Sequence, residues 1–199
     1  MSGRGSNLDA ILRAVKRGYI RDAIVSVVIS NKPGVRALAV AKRYGVDTEV
    51  IAAVKAEERA AYDSRLLNSL KLRGVGSENG LVLLAGFMRL LSPEFVKFYQ
   101  GRILNIHPSL LPAFPGLDAQ KQALDHGAKV AGCTVHFVVP EVDAGPIILQ
   151  RAVEVKEGDT VDTLSSRILR QEHRLYPLAV KLFVEGKLSV NGRSVVIGS

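Results

Sequence analysis

The sequence predicts an α/β fold: a mostly parallel, doubly wound sheet with helices on both faces, then a long carboxyl-terminal helix and a small carboxyl-terminal hairpin. Short apolar runs recur, AIVSVVIS at 23–30, TEVIA at 48–52, GLVLLAG at 80–86, RILNIH at 102–107 and CTVHFVV at 133–139. Runs that are apolar at successive positions are the mark of strands buried on both faces. Helical periodicity fills the intervals between them, and that alternation places helices on both sides of a parallel sheet. The last third departs from this alternation. There IILQRAVEV reads as a strand, Thr160 to Lys187 as one long helix, and VNGRSV carries the Asn-Gly signature of a tight hairpin.

In chain order, Leu8, Ile11, Leu12 and Val15 follow helical spacing and Gly18 supplies a stop. The segment Val35 to Tyr44 is amphipathic, opened by the turn NKPG and closed by Gly45. A further helix is expected over Glu57 to Leu72. Ser92, Pro93 and Glu94 read as a cap, a first-turn proline and an acidic residue at a helix start. A short helix ends at His126 beside Gly127, and Pro177 marks an expected bend in the long helix. No repeat, linker or low-complexity segment divides the 199 residues, which read as one domain, 1–199.

Composition narrows the class. With 47% hydrophobic and 23% charged residues the chain is too apolar for disorder. No apolar run approaches the roughly 20 residues that span a bilayer, and the amino end lacks a signal-peptide pattern. A soluble cytoplasmic protein that binds no membrane is the expectation. The single Cys133 cannot form an internal disulfide and reads as a small core residue; no Cys/His cluster suggests a metal. The net charge of +8 raises nucleic acid as a partner, but Lys and Arg are scattered over solvated helix faces without interleaved aromatics. Attraction of small anionic substrates fits the charge without a nucleic-acid partner.

In doubly wound folds ligands gather at the carboxyl ends of the strands. There Asn105 and His107 interrupt an apolar strand just before Pro108 ends it. Two residues apart, their side chains share one face and offer an amide and an imidazole to a developing oxyanion. Asp143 lies in a loop after another strand and has two readings, a partner that favours the charged imidazole or an Asx-type turn before Gly145. At the amino end Gly3 and Gly5 permit close backbone approach, Ser6 or Asn7 can cap the first helix, and open N–H groups there favour an anion such as phosphate. His126 and His136 read as structural, and His173 beside Glu172 reads as part of a solvated helix face.

The stretches SGRGSNL, LAGFMRLLS, ILNIHPSLLPAFPG, GCTVHFV, DAGPIILQ and QEHRLYP, taken together and in order, resemble the phosphoribosylglycinamide formyltransferases of purine synthesis. The resemblance implies formyl transfer from 10-formyltetrahydrofolate, used as cosubstrate without a metal, to the amine of glycinamide ribonucleotide. It implies that Asn105, His107 and Asp143 are catalytic. Gly5, Ser6 and Asn7 would hold the substrate phosphate and Glu172 would contact the nucleotide. Arg59, Met88, Arg89, Leu90 and Leu91 would border the folate, with backbone from Val139 through Pro140, Glu141 and Val142 to Asp143 reading its ring. The amino-terminal part would thus serve the nucleotide and the carboxyl-terminal part the folate, in a monomer or homodimer. A formyltetrahydrofolate hydrolase shares the Asn, His and Asp set, a methionyl-transfer-RNA formyltransferase shares the catalytic core, and a non-catalytic folate- or nucleotide-binding module shares the fold. Two departures from the family pattern stand out. Asp118 and Gln120 follow the PG of the proline-rich loop where some members carry histidines, and a hydrophobic first strand expected ahead of SGRGSN is missing before Met1.

Overall fold

A computed structural model describes residues 5–198; Gly3, expected near a ligand, lies outside them. The amino-terminal half alternates helix and strand: α1 (Ser6–Lys16), β1 (Val28–Ser30), α2 (Arg36–Arg43), β2 (Thr48–Val50), α3 (Arg59–Leu72), β3 (Val82–Leu84), α4 (Pro93–Phe98) and β4 (Ile103–His107). Then come α5 (Ala119–Asp125), the long strands β5 (Val130–Phe137) and β6 (Ile147–Glu154), α6 (Val161–Val184), and the hairpin β7 (Leu188–Asn191) and β8 (Ser194–Ile197). Strands β1 and β2 pair in parallel as one sheet, and a second sheet runs β3-β4-β5-β6-β8-β7. Within it β3 and β4 are parallel, while β5 pairs antiparallel with both β4 and β6.

The α/β architecture, the long helix and the terminal hairpin match the expectation from the sequence; several boundaries do not. The expected strand at 23–30 is a ladder only over Val28–Ser30, and that at 80–86 only over Val82–Leu84. A ladder extends only as far as its partner, and β2 offers just three residues. The helix expected from Glu57 begins at Arg59, because the Glu57 carboxylate instead accepts the Val54 N–H at 3.0 Å and closes a turn. The long helix stops at Val184 rather than Lys187, and it runs through Pro177. Its start is a reciprocal cap between Thr160 and Thr163.

Alternation along β4 divides the core. Leu104 and Ile106 face a cluster built from α1, α6, β5 and β6, whereas Ile103 faces Tyr62, Leu66, Phe95 and Tyr99 of α3, α4 and the residue after α4. A third cluster joins Leu8 and Leu12 of α1 to Val28, Ala37, Val40 and Ala41. The two faces of β4 are therefore covered by different helices, as the apolar runs require. Tyr176 of α6 is fully buried and directs its hydroxyl at the carbonyl oxygens of Leu84 and Leu104, each 2.9 Å away, which ties the long helix to the carboxyl ends of β3 and β4. No described helix is long and apolar enough to cross a membrane.

The entry to α1 depends on glycine. Gly5 has φ +73°, and a Cβ there would lie 2.7 Å from Ala37 Cα, so α1 and α2 meet backbone to backbone. Gly18 shares a positive φ of +68°, but a Cβ there meets nothing within 4 Å. Gly18→Ala should therefore cost only the left-handed strain of about 1–2 kcal/mol. Gly5→Ala adds a backbone clash and should lower Tm by on the order of 10 °C. Thermal unfolding of the two variants separates these costs, and equal losses would deny the close approach.

Candidate functional site

The carboxyl end of β4 is where the polar side chains converge. Register pairs Asn105 with His136 and His107 with Thr134 across the β4–β5 ladder. Asn105 Nδ2 lies 3.2 Å from His136 Nε2, and His136 Nδ1 lies 2.9 Å from the Phe137 carbonyl oxygen. A carbonyl can only accept, so Nδ1 carries the hydrogen and Nε2 takes one from the Asn105 amide. Among the described residues the second hydrogen of that amide has no partner. His136, read from the sequence as structural, thus orients Asn105. Only the register could reveal this, because the two residues are 31 apart in the chain.

His107 is buried, with Nε2 donating to the Phe114 carbonyl at 2.9 Å and Nδ1 3.3 Å from Asp143 Oδ2. Asp143 is no mere turn residue. Its Oδ2 accepts the Gly116 N–H at 2.8 Å and its Oδ1 lies 3.6 Å from His136 Nε2. Burial pushes the Asp143 carboxyl up, but His136, the Gly116 N–H and the His107 imidazole together hold it below the ordinary carboxylate value. The residue also sits at φ +50°, a conformation a non-glycine residue adopts only when its surroundings impose it.

The proline-rich loop after His107 is tied down from β5 and β6. Thr134 Oγ1 donates to Ser109 O at 2.7 Å and accepts from the Leu111 N–H at 3.0 Å. Gln150 Nε2 reaches Leu111 O at 2.8 Å and Thr134 Oγ1 at 2.9 Å. These bonds place the Phe114 carbonyl and the Gly116 N–H that the His107 and Asp143 side chains meet. Asp118 is the left-handed residue that starts α5.

At the amino end, Gly5 and not Ser6 or Asn7 occupies the cap position of α1, with no side-chain cap. Ser6 and Asn7 form the first turn. Asn7 Nδ2 donates to Glu172 Oε2 at 2.6 Å, and Asn7 Oδ1 is buried without a partner among the described residues. The expected solvated face around Glu172 is corrected: Glu172 is only 7% exposed, and burial raises its carboxyl pKa against the opposing Asn7 hydrogen bond. His173 is half-buried, and burial lowers its pKa. Cys133 is core, its thiol pushed up to about 12 by burial first and by Glu172 second.

Two loops open beside the same strand ends. Leu84 pairs with Asn105, so the loop after β3 begins next to the site. In it Met88 and Leu90 are exposed, and Arg89 stacks 4.5 Å over the Tyr62 ring. Leu91 is buried against Phe95 and Tyr99, so its side chain serves the core. Arg59 is exposed at the first turn of α3. The loop between β5 and β6 carries half-buried Val139, exposed Pro140, Glu141 and Val142, and then Asp143. It closes on Gly145, where a Cβ would stand 1.8 Å from Phe137 O. His126 is exposed at the end of α5, its ring bonded to Gln122 O.

The formyl transferase family profile matches residues 1–180. The chain belongs to the formyl transferase family. Among solved formyl transferases, glycinamide ribonucleotide transformylase 1 from Symbiobacterium toebii superposes with a TM-score of 0.95 at 52% identity, covering 100% of this chain and 92% of that one. The phosphoribosylglycinamide formyltransferase of Escherichia coli (strain K12) is 44% identical over 191 residues, 96% of this chain and 88% of the relative. The trifunctional purine biosynthetic protein adenosine-3 of Gallus gallus is 48% identical over 190 residues, which cover 96% of this chain and only 18% of that much longer protein.

The buried Glu172 carboxylate generates a pH prediction. Its raised folded pKa means that protonated Glu172 favours the fold below the ordinary value of 4.5, and this contribution is lost as pH rises through the folded pKa. Glu172→Gln keeps the acceptor for Asn7 and removes the charge. Its Tm should exceed that of the parent at pH 7 to 8 and converge with it near pH 4, as measured by thermal unfolding across pH. A Tm difference independent of pH would contradict the buried ionisation.

Proposed function

We propose that this chain transfers the formyl group of 10-formyltetrahydrofolate to the amine of glycinamide ribonucleotide. The observation that carries the reading is the set of Asn105, His107 and Asp143 at one strand end, with Asn105 already oriented by His136. That set lies between loops able to border a flat folate and the open first turn of α1. The names of the relatives at 44% and 52% identity favour the same reaction.

On this reading the phosphate sits at Gly5, Ser6 and Asn7, where the start of an 11-residue helix presents N–H groups and positive dipole. Glu172 accepts hydrogen bonds from the nucleotide beside Asn7. Arg59, Met88, Arg89, Leu90 and the backbone of 139–143 border the folate, with Leu91 anchoring that loop to the core. The amine attacks the formyl carbon, the carbonyl electron pair moves to oxygen, and a tetrahedral oxyanion forms. The free amide hydrogen of Asn105 donates to that oxygen, and His107 Nε2 joins it once the oxygen takes the place of the Phe114 carbonyl. Asp143, ionised through the neutral range, orients the His107 ring and, through an ordered water, accepts the proton lost by the attacking amine. Collapse breaks the bond to the folate nitrogen, which takes up that same proton through the ordered water as it leaves.

The hydrolase reading replaces the amine with water in the same site. Purified protein supplied with 10-formyltetrahydrofolate should release tetrahydrofolate rapidly only when glycinamide ribonucleotide is present; equal release without it would assign a hydrolase. Asn105→Ala should lower that amine-dependent turnover by about 10²–10³ while leaving substrate binding nearly unchanged.

A further inference from the structure

A carboxylate stands on the buried face of α3. That helix turns Tyr62, Leu66, Ser69 and Leu70 inward, and Asp63 is in the same stripe, only 2% exposed. An acid in such a place is costly unless hydrogen bonds hold it. Burial raises the pKa of its carboxyl, against the opposing pull of Ser92 and of the Arg89 and Arg59 charges. The formyl-transfer steps make no use of this group.

Its partner lies where the loop after β3 re-enters regular structure. The Ser92 N–H donates to Asp63 Oδ2 in a buried contact between residues 29 apart in the chain. The Ser92 hydroxyl accepts the Phe95 N–H at 3.3 Å as the cap of α4 and turns its own hydrogen to Asp63. The loop itself is thinly held. Residues 87–91 make no backbone–backbone hydrogen bond among the described residues. Phe87 and Leu91 pack on the cluster around Tyr62, Phe95 and Tyr99, and Arg89 lies over the Tyr62 ring. Those contacts set how deep the loop sits, whereas the directional bond from Ser92 to Asp63 fixes where its backbone ends.

We propose that Asp63 is a positioning residue for folate binding: by holding the Ser92 N–H it sets the backbone that carries Met88, Arg89 and Leu90, and with it the affinity for the folate. The inference rests on the reading that this loop borders 10-formyltetrahydrofolate. Leu84 pairs with Asn105, so the sheet fixes the amino end of the loop, and Asp63 fixes the other. A loop pinned at both ends has little conformational freedom left to lose when a ligand binds. Released at one end, it must be ordered in the binding step, which weakens binding. The effect falls on the folate and spares Asn105, His107 and Asp143, which are held by the β4–β5 ladder and the proline-rich loop.

The test is the steady-state kinetics of Asp63→Ala and Asp63→Asn with each substrate varied in turn, well below the Tm of each variant. Asp63→Ala should raise KM for 10-formyltetrahydrofolate by about 10-fold, while kcat and KM for glycinamide ribonucleotide stay within about twofold of the parent. Asp63→Asn keeps an acceptor for the Ser92 N–H and should bring the folate KM back to within about threefold of the parent. If Asp63→Ala does not fold, Asp63→Glu replaces it: the N–H stays paired but its acceptor moves by one methylene, and the folate KM alone should rise by about threefold or more. An unchanged folate KM in the folded Ala or Glu variant, an equal rise in both KM values, a loss confined to kcat, or no recovery in Asp63→Asn would overturn the role. A parent protein without amine-dependent turnover would instead overturn the formyl-transfer reading, and this inference with it.

Discussion

The antiparallel register of β4 on β5 is the constraint on which the site rests. It sets Asn105 opposite His136 and His107 opposite Thr134, and a slip of β4 by one residue would turn Asn105 and His107 onto the wrong face. The register is held by what the other positions bury. Leu104 and Ile106 must face the cluster under α6, and Ile103 must face α3 and α4, so the polar residues have no freedom to exchange places. Packing in the core thereby orients a polar array whose members His107, Thr134 and His136 are themselves buried.

From that register the loops inherit their places. Thr134, fixed opposite His107, holds Ser109 and Leu111, and the loop then returns to present Phe114 O to His107 and Gly116 N–H to Asp143. Asp143 is half-buried and left-handed, a backbone conformation that costs stability and persists because His107, His136 and Gly116 surround it. Glu172, beside the first turn of α1, is a buried acid that accepts a hydrogen bond from Asn7. The two carboxylates differ in sign: the surroundings of Asp143 favour its ionised form, whereas burial disfavours the charge on Glu172.

The sequence makes some of this legible and conceals the rest for definite reasons. Asn105 and His107 are visible because two polar residues interrupting an apolar strand before a proline are a local signal. The loops proposed to border the folate follow only from resemblance, and Leu91 among them turns inward to Phe95, a distinction no local pattern carries. His136 alternates with core residues and reads as one of them until the partner strand is known. Glu172 sits on a helix face that reads as solvated, and its burial depends on Asn7, 165 residues away in the chain. The strands at 23–30 and 80–86 are legible as apolar runs, but their ladders are short because pairing depends on neighbours that sequence does not name.

If the register prepares the site, His136 contributes to turnover by orienting Asn105. The most direct measurement is a double-mutant cycle on kcat/KM for formyl transfer, with Asn105→Ala, His136→Ala and both together. When His136 acts through Asn105, each single variant is strongly impaired and the double variant falls within about threefold of Asn105→Ala alone. Losses that multiply in full would show that the two side chains act independently, and the β4–β5 register would then not be what prepares the site.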